Sequence, residues 1–136
     1  MHPFVRKYHL KPADSIVVSK KNNPLVSHYA IYLGPADDGR ELVMETLPGT
    51  GVRLSATCIF FRNYPDVRRV ERFQGTEQDR LRRLRVAMRK LGRPYNLLAL
   101  NCEHLASEVR IGKSSSPQVR RSLMVAAVLL MLRGLR

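Results

Sequence analysis

The stretch His28-Tyr29-Ala30-Ile31-Tyr32-Leu33, then Gly34-Pro35-Ala36-Asp37-Asp38-Gly39, then residues 41–47 decides how this chain folds. Aromatic and β-branched residues followed by a dense turn cluster and a second apolar run read as a β-hairpin, closed beyond its return strand by Pro48-Gly49. Upstream, Asp14-Ser15-Ile16-Val17-Val18-Ser19 is a short β-branched strand, and residues 20–24 supply turn chemistry. Downstream, residues 52–61 and 67–73 read as two more strands separated by Asn63-Tyr64-Pro65-Asp66. The first half of the chain is therefore expected to be an antiparallel sheet.

After Gly75 the period changes. Thr76 can cap a helix, Glu77 and Asp79 suit its first turn, and Leu81, Leu84, Met88 and Leu91 recur at helical spacing until Gly92. Its other faces carry Arg80, Arg82, Arg83, Arg85, Arg89 and Lys90, either a solvated face or one that docks phosphates. A second helix should start at Asn101. Ser114-Ser115-Ser116 then forms a polar joint before Pro117, which suits a first helical turn. Residues 123–132 are uncharged and apolar, bracketed by Arg120, Arg121, Arg133 and Arg136. A bilayer span needs about 20 apolar residues, so this run is too short to cross. A helix apolar on every side is hard to bury in a small domain, which favours contact with a membrane surface, the arginines resting on headgroups.

The 136 residues fit one domain, and a hydrophobic fraction of 44% with 8 Gly and 8 Pro excludes low-complexity and collagenous chains. A net charge of +13 implies an anionic partner surface, either nucleic acid or acidic lipid. Residues 1–19 hold no long apolar stretch behind their basic residues, so the cytosol is the expected compartment. There the two cysteines should be free thiols. Cys58, within Thr57-Cys58-Ile59-Phe60-Phe61, is expected to be a small inert core residue.

Asn101-Cys102-Glu103-His104-Leu105-Ala106 carries the chemistry. Asn101 can cap the helix and leave Cys102 in its first turn, where unpaired N–H groups and the positive dipole end favour thiolate and could hold an oxyanion. The competing reading is a buried cysteine beside a cap. Of the four histidines, His104 lies two residues past Cys102 on the same helix and faces elsewhere, while His2 and His9 fall in a terminus expected to be loose. His28, opening its strand, is the candidate base. Glu45 shares a face of the return strand with Val43 and Leu47. Pairing across the turn could bring it to His28, or it could be a surface carboxylate answering one of many arginines.

These residues together resemble the LRAT-like (lecithin:retinol acyltransferase-like) superfamily, especially its phospholipase A/acyltransferase branch. Lys11-Pro12-Ala13-Asp14 is similar to that family's KPGD entrance, residues 28–34 to its HWAIYVG segment, and Asn101-Cys102-Glu103-His104 to its NCEH signature, preceded by Tyr95-Asn96-Leu97-Leu98. The likeness continues through Glu108-Val109-Arg110 and Gln118-Val119-Arg120. It implies an α+β, circularly permuted papain-like (NlpC-like) fold, with an antiparallel sheet packed on helices and a C-terminal hydrophobic helix. Residues 1–113 would be the catalytic domain and 114–136 a basic, hydrophobic membrane-contacting tail. It further implies a thiol acyltransferase or phospholipase A: Cys102 attacks a phospholipid ester, His28 moves the proton, and the acyl group passes to water or an amine. The family usually has a second histidine where this chain has Glu45. A carboxylate can orient His28 and favour its cation, or the change marks weakened hydrolysis. The expected partners are a phospholipid substrate and an anionic membrane met by the arginine helix and the tail, with a cytoplasmic, peripherally membrane-associated location. The alternatives are an NlpC-type peptidase or amidase, and a basic adaptor on the same fold that binds RNA or host proteins. No metal-ligand spacing, Walker loop or dinucleotide fingerprint appears, so no cofactor or metal is expected.

Overall fold

A computed structural model describes residues 1–96, 101–112 and 117–134. Leu97 and Leu98 of the segment before Asn101, the serine joint at 114–116, Arg136, and the boundary placed between residues 113 and 114 lie outside the described residues. The elements are α1 (Pro3–Lys7), β1 (Ser15–Lys20), β2 (Asn23–Pro35), β3 (Glu41–Leu47), β4 (Gly51–Ala56), α2 (Thr57–Asn63), β5 (Val67–Glu71), α3 (Glu77–Met88), α4 (Cys102–Ile111) and α5 (Pro117–Gly134). The protein is α+β. Among the described residues five strands form one antiparallel sheet in the order β4-β3-β2-β1-β5.

Both faces of the sheet are covered. On one, Val17, Tyr29, Ile31 and Met44 pack against Leu105, Ala106 and Val109 of α4 and Ala87 of α3. On the other, Ile16, Val18, Ala30, Tyr32 and Val43 meet Phe60 and Phe61 of α2 and Val5 of α1. Ile16, Val17 and Val18 are wholly buried in consecutive positions, which is why β1 reads as a continuous apolar run without alternation.

The hairpin of β2 and β3 forms as expected, but several boundaries differ. The turn expected over residues 20–24 is tighter, because Lys20 already pairs with Asn23 and β2 is extended backwards. The strand expected over residues 52–61 ends at Ala56 and continues as α2. The reason is periodicity: Thr57, Phe60, Phe61 and Tyr64 recur at i, i+3, i+4 and i+7, and it is Thr57, Phe60 and Phe61 that bury. Cys58 then falls on the outer face of α2 and is exposed, so it is not the core residue expected of it. The strand expected to reach Phe73 stops at Glu71.

The amino terminus is not loose. Pro3 opens α1, the His2 side chain accepts from the Phe4 N–H, the His2 N–H donates to Glu41 at 2.6 Å, and His2 stacks on Phe61. Helix α3 starts with a capping box between Thr76 and Asp79. It buries Ala87 and packs Leu84 inward, with Leu91 just beyond its end, while Leu81 and Met88 are largely exposed. Gly51 lets the segment after α3 lie against β4. Its φ is +79°, and a Cβ there would sit 2.2 Å from the Arg93 carbonyl oxygen, which accepts from the Val52 N–H.

Helix α5 stands away from the core. From Leu123 to Leu132 its large apolar side chains are all more than half exposed. Among the described residues, no helix is long and apolar enough to cross a membrane.

Candidate active site

Helix α4 begins as its sequence dictates. The Asn101 side chain accepts from the His104 N–H at 2.9 Å, and His104 Nδ1 accepts from the Asn101 N–H, a reciprocal capping box. Cys102 is the first helical residue, and Leu105, Ala106 and Val109 bury against the sheet beneath it. His104 is committed to the cap and buried. Burial, partly opposed by the nearby Glu103 charge, lowers its pKa and keeps the ring neutral, as its acceptor role requires.

Strand register supplies the other two groups. Glu45 pairs with Ala30, so His28, two residues before Ala30 on the same face, is its diagonal neighbour. The β2–β3 ladder does not continue past Ala30 and Glu45, although β3 stays paired with β4 as far as Leu47 and Gly51. At this parting His28 stands beside the α4 start, which packs on both strands. The three residues expected to act together are thus brought together.

His28 Nε2 and Glu45 Oε2 are 2.8 Å apart. The remaining ring nitrogen, Nδ1, is buried and makes no regular hydrogen bond among the described residues. Cys102 is near enough to act on this ring. Burial lowers the His28 pKa, but the proximity of Cys102, the hydrogen bond to Glu45 and the charges of both outweigh it and raise it from 6.5 to about 8. Proximity without a well-formed bond is usual where a catalytic contact tightens only around substrate.

Sequence reasoning missed what holds Glu45. Its Oε1 accepts from Ser55 Oγ at 2.7 Å and from Arg53 Nη2 at 3.0 Å and Nε at 3.2 Å. Burial works to raise its pKa, but His28, Ser55 and Arg53 together lower it, so Glu45 is a carboxylate at neutral pH. Counting across the turn after Leu47 would have found Arg53, since it is the direct register partner of Glu45. Tyr64, which follows α2, and Phe60 within it wall the imidazole, at ring-centroid distances of 4.8 and 6.2 Å. No strand reading of residues 52–61 could have placed them there.

All three side chains are buried, Cys102 least. Cys102 is 8% exposed, His28 0% and Glu45 2%. Cys102 alone of the three lines a cleft of about 750 Å³. Its lining includes the apolar Leu25, Val26, Val119 and Leu123 and the cationic Lys20, Arg68, Arg69, Arg110 and Arg121. Tyr95 also lines it. Burial and the closeness of Cys102 raise the Tyr95 pKa, which keeps its hydroxyl protonated near the sulfur. Gln118, from the first turn of α5, ties the cleft together. Its Oε1 accepts from the Ser27 N–H at 3.2 Å, beside His28, and its Nε2 donates to Glu103 at 2.9 Å, beside Cys102.

Much of the basic face of α3 is spent within the fold. Arg80 pairs with Glu77 and lies over the Phe73 ring, Arg82 pairs with Asp79, Lys90 pairs with Glu108, and Arg83 packs on Gly112. Among the described residues, no three His, Cys, Asp or Glu side chains are grouped to hold a metal ion. No family model, curated protein or solved structure matches this chain.

Proposed function

We propose that the protein is a cysteine-dependent acyltransferase or phospholipase A of the LRAT-like superfamily, on that family's permuted papain-like plan, with Cys102 as nucleophile, His28 as acid and base, and Glu45 as the group that orients His28. The observation that carries this reading is the buried line from Glu45 through His28 to Cys102, ending at a cleft lined by both apolar and cationic side chains. Apolar side chains suit an acyl chain and cationic ones suit a phosphate, which favours a glycerophospholipid over a peptide.

In the proposed reaction the Cys102 sulfur adds to the ester carbonyl carbon, and the oxyanion is met by N–H groups at the start of α4 and by the Tyr95 hydroxyl. The carbon–oxygen bond to the glycerol then breaks, and protonated His28 gives its proton to the departing alkoxide, leaving a lysophospholipid and a thioester. Water or an amine next attacks the thioester carbonyl, His28 takes the proton, and the sulfur leaves. Glu45, fixed by Arg53 and Ser55, holds Nε2 so that Nδ1 faces the chemistry.

The exposed apolar face of α5 would rest in the membrane interface, and its first residues, which line the cleft, would connect the bilayer to the thiol. Three of the six cations over residues 80–90, Arg80, Arg82 and Lys90, already pair with carboxylates, which reduces the charge this face offers an RNA. The test is release of fatty acid from mixed phospholipid micelles. Cys102→Ser and His28→Ala should each abolish it with the circular dichroism spectrum unchanged, and retained activity in both variants would end the assignment.

A further inference from the structure

Among the described residues five cations line the cleft, and they are not equivalent. Arg69 is neutralised by Glu71 at 2.9 Å and donates to the Tyr29 hydroxyl, and Arg110 reaches the same Glu71 at 3.3 Å. Lys20, Arg68 and Arg121 have no carboxylate partner among the described residues. Arg68 is nevertheless held in place. Its Nε donates to Ser19 Oγ at 2.7 Å and its Nη1 to Ser27 Oγ at 2.9 Å. Two neutral hydroxyls thus fix the guanidinium without cancelling its charge and leave three of its five N–H donors for a ligand. Ser27 precedes His28 in β2, so this cation is anchored one residue from the proposed base.

The two carboxylates of the cleft are already engaged. Glu71 answers Arg69 and Arg110, and Glu103 accepts from Gln118 and lies 3.5 Å from the Tyr29 hydroxyl. A headgroup ammonium entering here would meet unpaired cations and no uncommitted carboxylate. A headgroup that is anionic overall would meet a preset guanidinium with Lys20 and Arg121 around it. The glycerol unit keeps a lipid's phosphate close to its ester, so a headgroup site must share a cleft with the nucleophile, as Arg68 does with Cys102.

We propose that Arg68, supported by Lys20 and Arg121, is the phosphate subsite of this cleft and selects net-anionic glycerophospholipids over zwitterionic ones. The choice of lipid as ligand rests on the function proposed above, but binding at this subsite requires no turnover. The test uses the full chain carrying Cys102→Ser, titrated with monomeric dihexanoyl phosphatidylglycerol, dihexanoyl phosphatidylcholine and glycerol 3-phosphate. The anionic lipid should bind about tenfold more tightly than the zwitterionic one, whose ammonium is repelled by the unpaired cations. Adding Arg68→Gln should erase most of that preference, and Ser27→Ala, which frees the guanidinium without removing it, should erase part of it. Equal affinity for the two lipids, binding of neither, or a preference untouched by Arg68→Gln would overturn the proposal. Glycerol 3-phosphate binding as tightly as the anionic lipid would overturn its assignment to lipid. Selective binding by a chain whose wild type never acquires an acyl group would leave the subsite standing and remove the reaction; an acyl adduct without headgroup selectivity would do the reverse.

Discussion

Replacing Glu45 by Gln keeps a side-chain oxygen facing His28 while deleting the charge. In the native protein the His28 pKa stands at about 8 against 6.5, despite burial that works the other way. At about 1.4 kcal/mol per pH unit, that rise is roughly 2 kcal/mol of preference for the charged ring. Cys102 and Glu45 supply it. Without the Glu45 charge the midpoint should fall from about 8 toward 6.5, with the Cys102 share of the rise remaining, so the charged fraction of the ring at pH 7 shrinks. If the imidazolium is the form that activates the sulfur, turnover at pH 7 should drop by up to about fourfold, as the charged fraction falls from about nine-tenths toward about a quarter.

A stability signature accompanies this change. The native ring holds its proton more tightly than the unfolded chain does. Its contribution is therefore complete below pH 6.5 and is lost as pH climbs through about 8. The Tm of the native protein should decline across that window, and the decline should be smaller in Glu45→Gln. Proton NMR titration of the His28 ring, together with the pH profile of fatty acid release, measures both effects. A His28 midpoint still near 8 in the variant would refute the claim that Glu45 charges this ring.

Three further outcomes are expected. Asn101→Ala removes the cap of α4 and strands the His104 N–H, so it should cost about 1 kcal/mol in urea unfolding and slow the reaction by loosening the helix start that presents Cys102. Gly51→Ala forces a side chain onto the Arg93 carbonyl at positive φ and should destabilise by about 2 kcal/mol or more, read as a lower Tm. Leu129→Asp on the exposed face of α5 should abolish co-sedimentation with acidic liposomes and leave Tm unchanged; undiminished co-sedimentation would credit the basic surface instead.

What could be read in advance depended on whether a feature was local. The hairpin, the caps at Thr76 and Asn101, and the exposed apolar run of α5 are each written within a few residues, and each is present in the fold. The pairing of His28 with Glu45 was legible through register, since β partners can be counted from a turn. Residues 57–63 misled because a short apolar run fits either period, and only the packing of Phe60 and Phe61 under the sheet chose the helix. That choice also moved Cys58 to the surface and brought Tyr64 against His28. The Ser27–Gln118–Glu103 tie joins three distant parts of the chain and has no local signal. The arginines are the converse case: composition shows their number, whereas which are neutralised by a neighbour and which remain open to a ligand is decided by tertiary contacts.

The central claim is that Cys102 becomes acylated, and intact-mass spectrometry of the full chain after brief exposure to phospholipid tests it most directly. The account predicts an added mass of one fatty acyl group, mapped to Cys102 by peptide fragmentation, absent from Cys102→Ser and His28→Ala and removed by hydroxylamine. An unchanged mass while fatty acid is being released, or an adduct carried by the exposed Cys58 instead, would contradict it.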